Sequence, residues 1–154
     1  MPDEVFLREK MESLRQYLTE LQQVADRSFD EYRRDLFIKR TGERTVELIV
    51  ECAVDINNHL CLELGGEPPP DYYQSFLHAA DLGIFTPDLA SRLAPTAGLR
   101  NRLAHEYETI VDRAVYNAIQ RMIPHYTEYL RQLTDWLDAL SPEPQETETS
   151  ANNP

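Results

Sequence analysis

The chain has 154 residues, 42% apolar and 27% charged, with 27 acidic and 15 basic side chains and a formal net charge of −12. That length bounds it to one domain with one core, and 5 glycines against 10 prolines exclude a collagen-like or low-complexity body. The acidic balance speaks against broad contact with nucleic acid or an anionic membrane, both of which need Lys and Arg, but it is uneven: residues 1–40 carry −1, 41–95 carry −7, 96–140 carry −1 and 141–154 carry −3.

From Val5 to Val24, apolar residues recur at Leu7, Met11, Leu14, Leu18, Leu21 and Val24, a spacing of three and four that predicts an amphipathic helix. Ser28-Phe29-Asp30-Glu31 has capping-box form and opens a second helix toward Arg40, with Thr41-Gly42 as its expected interruption. The stretch Glu43 to Leu64 is the most apolar helix. At about 100° per residue, Val46, Ile49, Val50, Ala53, Ile56 and Leu60 share one side, and Glu47, Glu51, Asp55 and Asn58 the other. Asn57 falls in the middle of the apolar side and needs a hydrogen-bond partner. Gly65-Gly66 and Pro68-Pro69-Pro70 end this helix.

Asp71 caps a short helix through Leu82, stopped by Gly83, and Thr86-Pro87 is an N-cap followed by proline at the first helical position. Pro95 breaks that helix near Ala94. A further periodic segment covers Ala97 to Tyr107, and a last helix runs from about Asp112 to Leu140, kinked at Pro124. No alternating β pattern occurs. The expected fold is all-α: an antiparallel bundle of four main helices with one or two short ones over residues 1–140. Residues 141–154, SPEPQETETSANNP, form an acidic tail expected to be disordered.

No apolar run approaches the ~20 residues of a membrane span. Met-Pro-Asp-Glu is the opposite of a signal peptide, so the expected location is the cytoplasm, with no membrane contact. Cys52 and Cys61 offer no disulfide framework or zinc ribbon. His59, His78, His105 and His125 lack metal-ligand spacing, and there is no glycine-rich phosphate loop or nucleophile elbow. No metal or cofactor is expected.

One segment concentrates chemistry: Leu99-Arg100-Asn101-Arg102-Leu103-Ala104-His105-Glu106-Tyr107 holds two guanidiniums, an amide, an imidazole and a phenol. One reading is a solvated helix end with His105 meeting the helix dipole. The other is phosphodiester cleavage without a metal, in which His moves protons near neutral pH and Arg stabilises charge on the transition state. On a continuous helix Arg100 and His105 stand about 140° apart, so either the helix ends near Leu103 or the site combines residues of two copies of the chain. Asn101 and Arg102 are the same-face neighbours of His105.

Arg100-x-x-x-x-His105-x-Tyr107 resembles the R-x-x-x-x-H-x-Y signature of HepT-type toxins in the HEPN superfamily. Asp55-Ile56-Asn57-Asn58-His59 resembles that family's DIGNH segment, with Asn57 where glycine is usual. The resemblance covers roughly residues 5 to 140 and implies a HEPN-like fold and a homodimeric, metal-independent ribonuclease acting on tRNA or mRNA. It also implies a type VII-like toxin–antitoxin system, in which a minimal nucleotidyltransferase of MntA type transfers AMP onto the motif tyrosine, here Tyr107.

In that scheme His105 is the general acid or base, Arg100 holds the scissile phosphate, and Asn101 and Arg102 support the cleft. Asp55 and Asn58 either support the site from the neighbouring helix or are plainly solvent-exposed; Tyr107 is either the AMP acceptor or a terminal tyrosine packing on Val111. An alternative of a different class is a non-catalytic helical subunit that binds a nucleotidyltransferase, which the acidic stretch 41–95 would suit.

Overall fold

The computed structural model describes residues 2–140; the acidic tail lies outside them. Seven α-helices follow in order: α1 (Glu4–Ala25), α2 (Phe29–Arg34), α3 (Leu36–Gly65), α4 (Tyr72–Asp81), α5 (Pro87–Leu93), α6 (Pro95–His105) and α7 (Asp112–Leu140), with a 3₁₀ turn at Tyr107–Thr109. No strand occurs among the described residues.

The predicted apolar stripe of α1 is its buried face, residue for residue. The expected caps also form. Ser28 accepts from the Glu31 amide, Asp71 from Gln74 and Thr86 from Leu89, while Gly66 closes α3 and Gly83 follows α4, both in left-handed conformations that favour glycine. Pro95, which has no N–H to donate, starts α6 with only Ala94 between it and the end of α5. Helix α7 continues through Pro124 to Leu140.

Cross-helix contacts give the directions. Lys10 meets Asp55 and the Asp3 amide meets His59, so α1 and α3 are antiparallel. Arg100 meets Glu51 and Tyr107 meets Glu43, so α6 runs back along α3. Thr96 meets Tyr126, and Arg102 lines a groove with Ala114, so α7 reverses again. The result is an up-down-up-down bundle of α1, α3, α6 and α7, with α2, α4 and α5 as short additions.

One boundary differs from the sequence reading. Thr41-Gly42 does not interrupt a helix; the break is at Asp35, whose extended backbone and carboxylate cap α3 by accepting from the Phe37 and Ile38 amides at 2.9 and 3.3 Å. Gly42 lies inside α3. A Cβ there would sit 3.1 Å from Val24 Cγ1 of α1, 3.2 Å from Tyr32 Cε2 of α2 and 3.2 Å from Ile119 Cδ1 of α7. The missing side chain lets three helices close on α3, which outweighs the roughly 1 kcal/mol helix penalty of glycine.

Asn57 finds the partners its position demands. It is fully buried, its Nδ2 donates to Ser75 Oγ at 3.2 Å and its Oδ1 accepts from the Tyr129 hydroxyl at 2.7 Å. This polar bridge ties α3 to α4 and α7 inside an otherwise apolar core. Cys52 and Cys61 are buried and unbridged, and burial pushes both thiols up to about 11, away from thiolate chemistry.

Two stability predictions follow from these contacts. Gly42→Val forces a branched side chain into the closest helix approach and is expected to cost about 1–3 kcal/mol, read as a lower urea midpoint at unchanged slope. Tyr129→Phe leaves the Asn57 carbonyl buried without its donor and is expected to cost about 1–3 kcal/mol. A midpoint equal to wild type in either variant contradicts the corresponding contact.

Candidate active site

Helix α6 packs on the bundle through Ala97, Leu99 and Leu103, all buried, which turns the polar residues between them outward. It runs without a break to His105 and ends at Glu106, where the backbone leaves helical geometry. The helix therefore does not stop near Leu103. Arg100 and His105 sit on one helix about 140° apart around its axis.

Arg100 leans on α3. Its Nη2 and Nε donate to Glu51 Oε1 at 3.0 and 3.3 Å, its Nη1 donates to Asn101 Oδ1 at 3.3 Å, and its guanidinium lies 4.9 Å from the Tyr72 ring centre. Its side chain is only 19% exposed, so this ion pair is partly shielded from solvent. Asn101, Arg102 and His105 are exposed. One chain brings Arg100 and Asn101 together and leaves His105 on another side of the helix.

Tyr107 is 44% exposed and Val111 63% exposed. The Tyr107 ring lies 4.8 Å under the Arg40 guanidinium, and its hydroxyl donates to Glu43 Oε1 at 3.3 Å. Arg40 also donates to that same oxygen at 3.1 Å. Glu43 is 5% exposed. Burial pushes its carboxyl up from the ordinary range, against the opposing pull of Arg40 and Lys39 and with a further upward push from Asp112. The phenol is thus half-exposed and held by a guanidinium above and a buried carboxylate beside it.

The two candidates on α3 divide. Asp55 pairs with Lys10 of α1 at 2.8 Å, one turn along α3 from Arg100's partner Glu51; Asn58 is half-buried. His59, the last residue of the Asp55–His59 segment, accepts from the Asp3 amide at 3.2 Å and stacks near Phe6, tying down the start of α1. Among the described residues no three His, Cys, Asp or Glu side chains stand close enough to hold a metal ion.

Sequence reasoning missed Glu51, Glu43, Arg40 and Tyr72 as neighbours of the motif. Glu43 carried a legible signal, since it falls about 60° from Val46 on the helical wheel, a carboxylate on the apolar side. Glu51 carried none, because its partner is 49 residues away.

Residues 14–133 match the family model described as ribonuclease HepT-like. The chain is 33% identical over 139 residues to a tRNA nuclease HepT of Aphanizomenon flos-aquae, covering 90% of this chain and 95% of that protein. Among solved structures, a tri-AMPylated HEPN toxin of Shewanella oneidensis in complex with its MNT antitoxin shares the fold with a TM-score of 0.76 at 20% identity, over 86% of this chain and 98% of that one. A toxin–antitoxin structure with AMP-PNP gives a TM-score of 0.77 at 18% identity, over 84% and 98%. No helix among the described residues is long and apolar enough to cross a membrane. An all-α bundle that carries the Arg100, His105 and Tyr107 run at the end of α6, and matches over most of its length, makes this chain a member of the HepT-like ribonuclease family.

Proposed function

We propose that the chain is a cytoplasmic ribonuclease toxin that cuts tRNA without a metal ion. In this reading it works as a homodimer and is neutralised when an MntA-type nucleotidyltransferase transfers AMP to Tyr107. The observation that carries the catalytic part is the placement of Arg100 and His105 on opposite-leaning sides of one unbroken helix. A single chain then offers each group to a different neighbour, and two copies facing each other across α6 supply a phosphate-holding arginine and a proton-moving histidine to one cleft. The tRNA substrate is supported by the related tRNA nuclease.

In this mechanism His105 of one subunit takes the proton of the ribose 2′-OH, the 2′-oxygen attacks phosphorus, and the 5′-oxygen leaves with a proton from the second His105. Arg100 stabilises the charge on the phosphorus oxygens. To do so it exchanges Glu51 for the phosphate, since Glu51 occupies its guanidinium in the free chain. Asn101 orients Arg100 through their shared hydrogen bond. Arg102 adds positive charge on the His105 side, Asn58 supports the α3 wall, and Asp55 is spent on Lys10.

AMP on the Tyr107 oxygen removes its hydrogen bond to Glu43 and places a phosphodiester charge beside the cleft, so block is steric and electrostatic together. Two structural neighbours, a tri-AMPylated HEPN toxin bound to its MNT antitoxin and a toxin–antitoxin structure with AMP-PNP, fit such a partner.

His105→Ala is expected to lower tRNA cleavage by about 10²- to 10⁴-fold, with a chelator leaving the wild-type rate unchanged. Mixing wild-type with His105→Ala chains is expected to abolish cleavage in the mixed dimer, because that dimer keeps only one of the two histidines the cleft uses; half of the wild-type activity in verified mixed dimers rejects the shared cleft. Tyr107→Phe is expected to remain toxic when the nucleotidyltransferase is co-expressed. Undiminished protection of that variant, with AMP found on another residue, rejects Tyr107 as acceptor.

A further inference from the structure

The groove between α6 and α7 stands apart from the rest of this acidic surface. Arg92 at the end of α5, Arg102 on α6, and Arg121 and His125 on α7 line it, over an apolar floor that includes Leu99 and Met122. No carboxylate lines it. Four other surface clefts each include at least one Asp or Glu, as expected at a net charge of −12. Arg92 is paired with Asp88 at 3.1 Å, whereas Arg102 and Arg121 make no ion pair among the described residues.

Such a cluster is electrostatically unbalanced, because like charges converge without an anion between them. His125 records the imbalance. Burial and then the charges of Arg92 and Arg121 hold its imidazole below the ordinary range, with Asp88 pulling the other way. Glu128, the remaining charged group near it, is engaged by Arg131 and Gln132. An anion seated in the groove would relieve the repulsion and favour protonated His125. The groove also adjoins the candidate active site, since Arg102 and His105 are three residues apart on α6 and so share a face.

We propose that this groove holds a backbone phosphate of the RNA, away from the bond that is cut. The inference rests on the reading of the chain as an RNA-cutting enzyme and extends the RNA path from His105, past Arg102, into the groove of Arg121 and Arg92. The convergent arginines suit phosphate better than a base edge, and the apolar floor suits a ribose or base face. An acidic segment of a protein partner is the competing occupant. RNA is favoured because the cations continue directly from the catalytic histidine.

The test compares Arg92→Ala/Arg121→Ala with wild type, using unfractionated tRNA and a dinucleotide phosphodiester too short to span both places. For tRNA the expected result is a KM raised about tenfold at unchanged kcat, and a salt dependence shallower by about one unit on log–log axes, the loss of one phosphate contact. Dinucleotide cleavage stays at the wild-type rate. Equal effects on both substrates, or unchanged KM and salt slope for tRNA, overturn the proposal.

Anisotropy binding in a His105→Ala background gives the same readings without cleavage, so a chain that binds tRNA through the groove but never cuts it sinks the ribonuclease reading alone. Arg121→Lys, which keeps the charge, is expected to restore most of the affinity lost in Arg121→Ala; no restoration overturns a phosphate contact. Loss of binding to the nucleotidyltransferase with tRNA binding intact assigns the groove to the protein partner and overturns it as well. By NMR, saturating RNA is expected to raise the His125 titration midpoint, and a midpoint that does not move counts against the proposal.

Discussion

The close approach of α1, α2 and α7 to α3 at Gly42 is the constraint on which the rest of the bundle depends. Contacts at 3.1–3.2 Å from a would-be Cβ leave α3 no lateral freedom at this level, and interiors packed this tightly transmit displacement rather than absorb it. One residue further on, Glu43 meets Arg40 and Tyr107; two turns beyond, Glu51 meets Arg100. The same helix therefore carries the partners of both motif residues it touches. Their relative placement is fixed by core packing, not by the short loop that joins α6 to α7.

The interior bridge of Asn57, Ser75 and Tyr129 gives a second level of registration. In a core of aliphatic side chains, sliding α3 by one turn would exchange one leucine-like neighbour for another at modest cost. Sliding it past Ser75 and Tyr129 would strand an amide away from water, at a cost of about 1–3 kcal/mol or more. Glu43 works in the opposite sense. Its carboxyl is pushed up by burial, so the folded chain binds that proton more tightly than the unfolded chain. Its contribution to stability is present below the unfolded carboxyl value and fades as pH rises through the folded one. Holding Tyr107 at neutral pH thus uses a group that does not favour the folded state there.

Helical class, the six apolar positions of α1, the caps at Ser28, Asp71 and Thr86, and the need for a partner at Asn57 were all legible in the sequence, because each depends on residues within a turn or two. Gly42 was not. A glycine inside a helix and a glycine between helices look alike until the helices across it are known, and Asp35, seven residues earlier, was the less conspicuous stop. The motif residues were legible as a set, but their state was not: Arg100 engaged by Glu51 and Tyr107 clasped by Arg40 and Glu43 are long-range pairings. The net charge misled as a single figure, since arginines concentrated on α5, α6 and α7 line a groove without a carboxylate on a chain whose acids lie elsewhere.

The ion pair between Arg100 and Glu51 has a consequence for selectivity. Any anion that takes the guanidinium must displace a carboxylate tethered to the same molecule, one present at a constant high effective concentration that dilution does not reduce. A free monophosphate or a single nucleotide competes with it alone and is disfavoured. A ligand that anchors itself at several points before reaching Arg100 pays no such handicap at the last step, because its phosphate also arrives as a tethered group. If Arg100 takes the phosphate as proposed, the resting pair would filter against small free phosphates and favour long, multiply anchored polyanions.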